Sequence, residues 1–130
     1  MHSLALVMAQ RGHTVTGSDD EIYEPSRSRL AAQGLLPLET GWHPERIHSE
    51  LDIVVLGMHA RADNPELLRA QELGLKVESF PEFMYNISQD KVRIVVAGSH
   101  GKTTTSGMIA HVLHYSGMQA DRMIGAKIGE

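Results

Sequence analysis

The chain has 130 residues, 42% hydrophobic and 22% charged, with a formal net charge of -4, a composition that fits one soluble globular domain or slightly more. Its charge is mildly acidic and interspersed and only 5% of residues are aromatic, which argues against a polyanion-binding surface, so no nucleic-acid partner is expected. No apolar run approaches the roughly 18 residues of a membrane span, and the lack of cysteine excludes disulfides and zinc-thiolate sites and fits a reducing cytoplasm.

The opening MHSLALVMAQRG is apolar in the manner of a signal segment, but it has no basic leader and no small-residue cleavage site. Leu4, Ala5 and Met8 recur at helical spacing and Gly12 stands where a helix C-terminal glycine belongs, so residues 2–11 are expected to form a helix packed on a sheet. A β-branched run, Thr14 to Thr16, reads as a strand ending in the turn GSDD, and Pro25 followed by SRSRLAAQG reads as a second helix stopping at Gly34. DIVVLG, from Asp52 to Gly57, is short and apolar enough to be a buried parallel strand. The next helix has Asn64 as its cap, Pro65 at its first position and Gly74 at its end.

The beat continues through the strand LKVESF, the helix PEFMYNIS, the strand VRIVVAG and a helix from about Gly101 to Ser116 closed by Gly117. Alternation at this spacing predicts an α/β fold: βαβ units in a mostly parallel, doubly wound sheet with flanking helices. The polar stretch Asn86 to Lys91 is the one linker candidate. A domain of this type begins with a strand and a glycine-rich turn before its first helix, whereas this sequence opens on the helix. The expectation is an atypical domain or a sequence clipped at its N-terminus.

AGSHGKTTT carries the most specific chemistry, with a strand pattern before it and a helix pattern after it. In such a loop, backbone N–H groups at a helix start point at phosphate oxygens, and Gly98 and Gly101 let the backbone approach without a side-chain clash. Lys102 can reach the β- and γ-phosphates, and Thr103 offers a hydroxyl to Mg²⁺. The general pattern G-x-x-x-x-G-K-[S/T] asks for a glycine where this chain has Val96. The bland alternative is a glycine-rich turn with a solvated lysine.

Two other strand ends carry polar candidates. TGSDD places Asp19, with Ser18 beside it, where dinucleotide-type folds bind a ribose hydroxyl, although acidic residues also form plain turns. LGMHARADNP places His59, Arg61 and Asn64 at a carboxyl edge, with Asn64 better suited to capping the next helix. His111 and His114 share a helical spacing but no carboxylate completes a ligand set, so they read as solvated surface. Met108, Ile109, Val112 and Leu113 read as packing.

These residues resemble a known family. AGSHGKTTTSGM is similar to the ATP-binding loop of the Mur ligases, enzymes of peptidoglycan synthesis whose version runs G-T-x-G-K-T-[S/T]; that loop lacks the upstream glycine, so Val96 ceases to be a mismatch. HTVTGSDDEIYEPSRSRLAAQGL and DIVVLGMHARADNPELLRAQELGLKV resemble the family's N-terminal domain, which holds the UDP-sugar, and RMIGAKIGE resembles the start of its IGG segment, with Ala126 where a second glycine is usual. The GSD turn is similar to that of the member adding L-alanine to UDP-N-acetylmuramate. IYEP and NPEL are more similar to the member that reattaches a recycled tripeptide, which is the favoured reading.

The resemblance implies a Rossmann-like UDP-sugar domain over 1–88, and over 89–130 the first βα unit of a P-loop ATP-binding domain. It further implies a cytoplasmic enzyme using ATP and Mg²⁺, in which the carboxylate of UDP-N-acetylmuramate becomes an acyl phosphate and an amino-acid or peptide amine attacks it. Lys102 is the implied catalytic residue, Gly98, Ser99, His100, Gly101, Lys102, Thr103 and Thr104 the ATP site, and Thr103 the metal contact. Ser18, Asp19 and His59 are implied for the UDP-sugar. On this reading the sequence is the front part of a ligase and does not catalyse ligation alone. A nucleotide-binding module without a reaction of its own, or another P-loop enzyme such as a small kinase, is the competing expectation.

Overall fold

The computed structural model describes residues 1–122, so most of RMIGAKIGE lies outside the described residues. The chain divides into two compact units, Met1–Asp90 and Lys91–Glu130.

The first unit opens on α1 (His2–Gln10), which closes where Gly12 takes φ +90°. The Gly12 N–H donates to the Ala9 carbonyl and the His13 N–H to the Met8 carbonyl, a pairing that needs a left-handed residue between helix and loop. α2 (Ser26–Ala32) and α3 (Pro65–Glu72) end in the same way at Gly34 and Gly74. α3 starts sharply because the Asn64 side-chain oxygen accepts from the N–H groups of Glu66 and Leu67, at 2.9 and 3.1 Å, with Pro65 preset for the first turn. Glu66 in turn accepts from the His43 N–H at 2.7 Å and ties a short 3-10 turn, Pro44–Arg46, to the helix.

β1 (Val54–Leu56) and β2 (Val77–Ser79) flank α3 and pair in parallel, Val54 opposite Val77 and Leu56 opposite Ser79, which makes one βαβ unit. β2 runs directly into α4 (Phe80–Asn86) through a reciprocal cap: Glu82 accepts from the Ser79 N–H at 2.8 Å, and Ser79 Oγ accepts from the Glu82 N–H at 3.4 Å. The hydrogen bonds from the Ser79 hydroxyl and then its backbone N–H hold the Glu82 carboxyl below its ordinary pKa. Leu4, Leu30, Leu67, Ala70 and Phe83 form the buried apolar set of this unit.

In the second unit, α5 (Lys102–Tyr115) closes at Gly117 with the same paired hydrogen bonds. Ile109, Ala110 and Leu113 line an open cavity of about 380 Å³ together with Val92, Ile94 and Val96.

The α/β class is as expected, but two strands are corrected. Neither Thr14–Thr16 nor the VRIVVAG run forms a strand among the described residues, where the sheet is the single β1–β2 pair. β-branched residues favour extended backbone, but a strand exists only through a neighbour's ladder. The segment after Thr16 makes a lone antiparallel bridge instead, in which the Gly41 N–H donates to the Asp19 carbonyl at 2.8 Å. Met108 and Val112, expected to pack, are 64% and 61% exposed; they lie on the face of α5 turned away from Ile109 and Leu113.

α1 meets α2 through a polar contact that fixes a protonation state. His2 Nε2 lies 3.4 Å from Arg29 Nη1. Arginine can only donate, so Nε2 accepts and the ring is neutral, leaving Nδ1–H to donate to Ser26 Oγ at 2.8 Å. Burial first, then the charges of the amino terminus and Arg29, lower the His2 pKa below 6.5.

Replacing Asn64 by Ala strands two amides at a buried helix start and should lower stability by about 1 kcal/mol, with Asn64→Asp retaining most of it; denaturant titration measures both. The folded protein resists a proton on His2 that the unfolded chain accepts near pH 6.5. Stability is therefore complete above about pH 7 and falls as pH drops through 6.5 toward the folded value. In His2→Gln that part of the acid slope should vanish in melts recorded between about pH 5 and 8.

Candidate functional site

Gly98 and Gly101 adopt φ +147° and +74°, values in the region that side chains resist, and Gly101 is the N-cap of α5. Lys102 is thereby the first residue of the helix, with Thr103 and Thr104 next. The first intrahelical bond runs from the Thr105 N–H to the Gly101 carbonyl at 2.9 Å, so the amides of Lys102, Thr103 and Thr104 have no carbonyl within the helix. No side chain caps them, and no acidic residue lies in the first turn. The helix start thus presents N–H groups, hydroxyls and an ammonium without an opposing carboxylate, a donor set that fits a phosphate chain with its magnesium ion.

Within the loop, Lys102 Nζ donates to the carbonyls of Gly98 and Ser99, at 2.5 and 3.2 Å. His100 Nδ1 lies 3.2 Å from Ser99 Oγ, which engages its ring inside the turn. The structure therefore brings Gly98 to Thr104 together as one exposed loop and helix start.

In the first unit, β1 ends at Leu56, and a side chain at Gly57 would stand 3.8 Å from Met1 Cγ, which sets the start of α1 beside the carboxyl end of the strand. His59 is exposed on the loop that follows. Arg61 Nε lies 3.7 Å from Asp63 Oδ1, and Asn64 is committed to its cap. Ser18 is half-buried and Asp19 exposed, with Asp19 Oδ1 accepting from the Asp20 N–H at 2.9 Å in a local turn. Ser18 and Asp19 lie on a different loop from His59, and among the described residues no hydrogen bond or ion pair joins the two. Sequence reasoning passed over the His2, Ser26 and Arg29 cluster, whose partners are 24 and 27 residues apart and share no periodicity. It also passed over Glu78, a buried carboxylate that accepts from Lys76 Nζ at 2.7 Å and Asn86 Nδ2 at 2.8 Å.

Comparison with known proteins places these features in a lineage. The chain is 38% identical over 128 residues to a UDP-N-acetylmuramate--L-alanine ligase of Carboxydothermus hydrogenoformans, an alignment covering 98% of this chain and 27% of the relative. It is 33% identical over 130 residues to the UDP-N-acetylmuramate--L-alanyl-gamma-D-glutamyl-meso-2,6-diaminoheptandioate ligase of Escherichia coli, covering 99% of this chain and 28% of that one. The chain thus spans about a quarter of the length of these relatives. Among solved structures, the murein peptide ligase of Psychrobacter arcticus superposes with a TM-score of 0.77 at 37% identity, covering 90% of this chain and 24% of the other. The UDP-N-acetylmuramate:L-alanyl-gamma-D-glutamyl-meso-diaminopimelate ligase of Neisseria meningitides gives a TM-score of 0.77 at 31% identity, covering 90% and 36%. The model of the Mur ligase family, catalytic domain, matches residues 1–92 and stops short of the glycine-lysine loop, which the alignments to the two relatives extend across. With its first unit matched from end to end, this chain belongs to the Mur ligase family.

Proposed function

We propose that the protein is a cytoplasmic, ATP-dependent amide ligase that joins the peptide L-Ala-γ-D-Glu-meso-diaminopimelate to UDP-N-acetylmuramate. In this reading residues 1–88 hold the UDP-sugar and residues 89–130 begin the ATP-binding domain. The observation that carries it is the loop: two glycines at positive φ, a lysine at the first helical position and an uncapped helix start, in a chain of this family.

The reaction divides in two. The γ-phosphoryl group passes to the carboxylate of the UDP-sugar, giving an acyl phosphate and ADP. The peptide amine then attacks the carbonyl carbon, phosphate leaves, the amine loses a proton, and an amide remains. ATP supplies the phosphoryl group, and Mg²⁺ the charge that shields it from the attacking carboxylate. Lys102 adds positive charge where the transferred oxygens become more negative, the α5 amides orient the phosphate chain, and Thr103 offers its hydroxyl to the metal. Gly98, Ser99, His100, Gly101 and Thr104 complete the cradle, while Ser18, Asp19 and, across the β1 edge, His59 are assigned to the UDP-sugar.

The peptide acceptor is supported by the IYEP and NPEL stretches and by the two superposable peptide ligases. A second reading, with L-alanine as acceptor, is favoured by the higher identity to the Carboxydothermus relative, 38% against 33% for the Escherichia coli peptide ligase.

The full-length protein, given UDP-N-acetylmuramate and ATP with each acceptor in turn, should release phosphate with the tripeptide; release with L-alanine alone would establish the second reading. Lys102→Ala should lower kcat by a factor on the order of 10² to 10³, and a rate near that of the wild type would remove the lysine from its role. Asp19→Ala should raise the KM for the UDP-sugar about tenfold with kcat retained, and an unchanged KM would take Asp19 out of that site.

A further inference from the structure

Glu78 stands at the centre of β2, where a buried parallel strand ordinarily places an apolar residue, and only 6% of it is exposed. Its Oε1 accepts from Lys76 Nζ at 2.7 Å and from Asn86 Nδ2 at 2.8 Å, whereas its Oε2 is buried and among the described residues has no partner. Buried polar atoms are ordinarily paired, so a bare carboxylate oxygen calls for a donor from elsewhere. Glu78 lines an open cavity of about 390 Å³ together with Pro81, Glu82, Tyr85 and Asn86, all four of them exposed. Glu82 commits its Oε2 to the Ser79 hydroxyl and N–H, bonds that favour its ionised form, and this leaves its Oε1 to the cavity.

We propose that this cavity binds a primary alkylammonium ion, with the Glu78 and Glu82 carboxylates accepting its N–H groups and Pro81 and the Tyr85 ring flanking its alkyl chain. The unfilled atoms are carboxylate oxygens, and an ammonium matches them because it carries three donors and no acceptor. Pro81 and Tyr85 suit an alkyl chain better than a hydrated ion, and an aromatic face attracts a cation. A divalent metal fits poorly, since among the described residues no three carboxylates or histidines gather as a ligand set. The Lys76 side chain is 65% exposed and can swing into solvent, which uncovers the Glu78 carboxylate and replaces one ion pair by another. The cavity shares no residue with the glycine-lysine loop or with Ser18, Asp19 and His59, so the inference stands apart from the ligase reading.

The test is saturation-transfer NMR of n-butylammonium with the full-length protein, wild type and Glu78→Gln, with butan-1-ol as the uncharged control. Glutamine keeps an oxygen for Lys76 and Asn86 but turns the unpaired Oε2 into an N–H donor, so it retains the tie between β2 and α4 and rejects the ligand. The ammonium should bind the wild type with the alcohol silent. Glu78→Gln should weaken that binding about tenfold or more, the loss expected for a hydrogen bond to an ionised group. No transfer to the ammonium, equal transfer to the alcohol, or equal affinity in the two proteins would overturn the site. Mg²⁺ that displaces the ammonium where Na⁺ at equal ionic strength does not would make this a metal site and overturn the proposal as well. Should Glu78→Gln fail to fold, Tyr85→Ala, at an exposed position, decides: weaker binding supports the cavity, and unchanged binding refutes it.

Discussion

A helix leaves its first N–H groups without internal partners, and the way this chain treats those groups at three helix starts organises its fold and its candidate chemistry. At α3 the Asn64 side chain takes two of them, which fixes where the crossover between β1 and β2 begins. At α4 Ser79 and Glu82 satisfy each other across the junction with β2, so strand and helix meet without a loop. At α5 no side chain intervenes, and the cap is a glycine with nothing to donate or accept beyond its backbone. Two starts are closed by side chains, whereas α5, like α1 and α2, begins without a side-chain cap.

The other ends of the helices are equally uniform. Gly12, Gly34, Gly74 and Gly117 each sit in a left-handed conformation that lets two amides turn back onto the helix they terminate. That is why element boundaries were legible in the sequence: the signal is one residue wide and its cause is local. β1 and β2 were legible from other local signals: DIVVLG is a short apolar run, and LKVESF, in which apolar and polar residues alternate, lies between Gly74 and the Ser79 cap of α4.

What was not legible is non-local. Thr14 to Thr16 and the VRIVVAG run have the side chains of strands, but pairing depends on a neighbour that no local pattern reveals. The contact of His2 with Ser26 and Arg29 crosses more than twenty residues, and nothing in MHSLALVM distinguishes this histidine from a solvated one. On α5, four apolar residues looked like one packing face. A helix advances 100° per residue, however, so Met108 and Val112 turn outward when Ile109 and Leu113 turn in. In the loop, the glycines and the lysine were readable as residue types, whereas the carbonyl partners of Lys102 follow from backbone angles that only the folded loop displays.

The run from Val92 to Val96 also bears on how the protein behaves in a test tube. Val92 and Val95 are 97% and 86% exposed, and Ile94 is 58% exposed. A short β-branched segment without proline is the kind of run on which identical chains can stack. Arg93 is the single charge inside it, with Lys91 just before; a charge within such a run disfavours stacking of identical chains. Removing the one charge inside this exposed run would therefore favour association of the chain with its own copies.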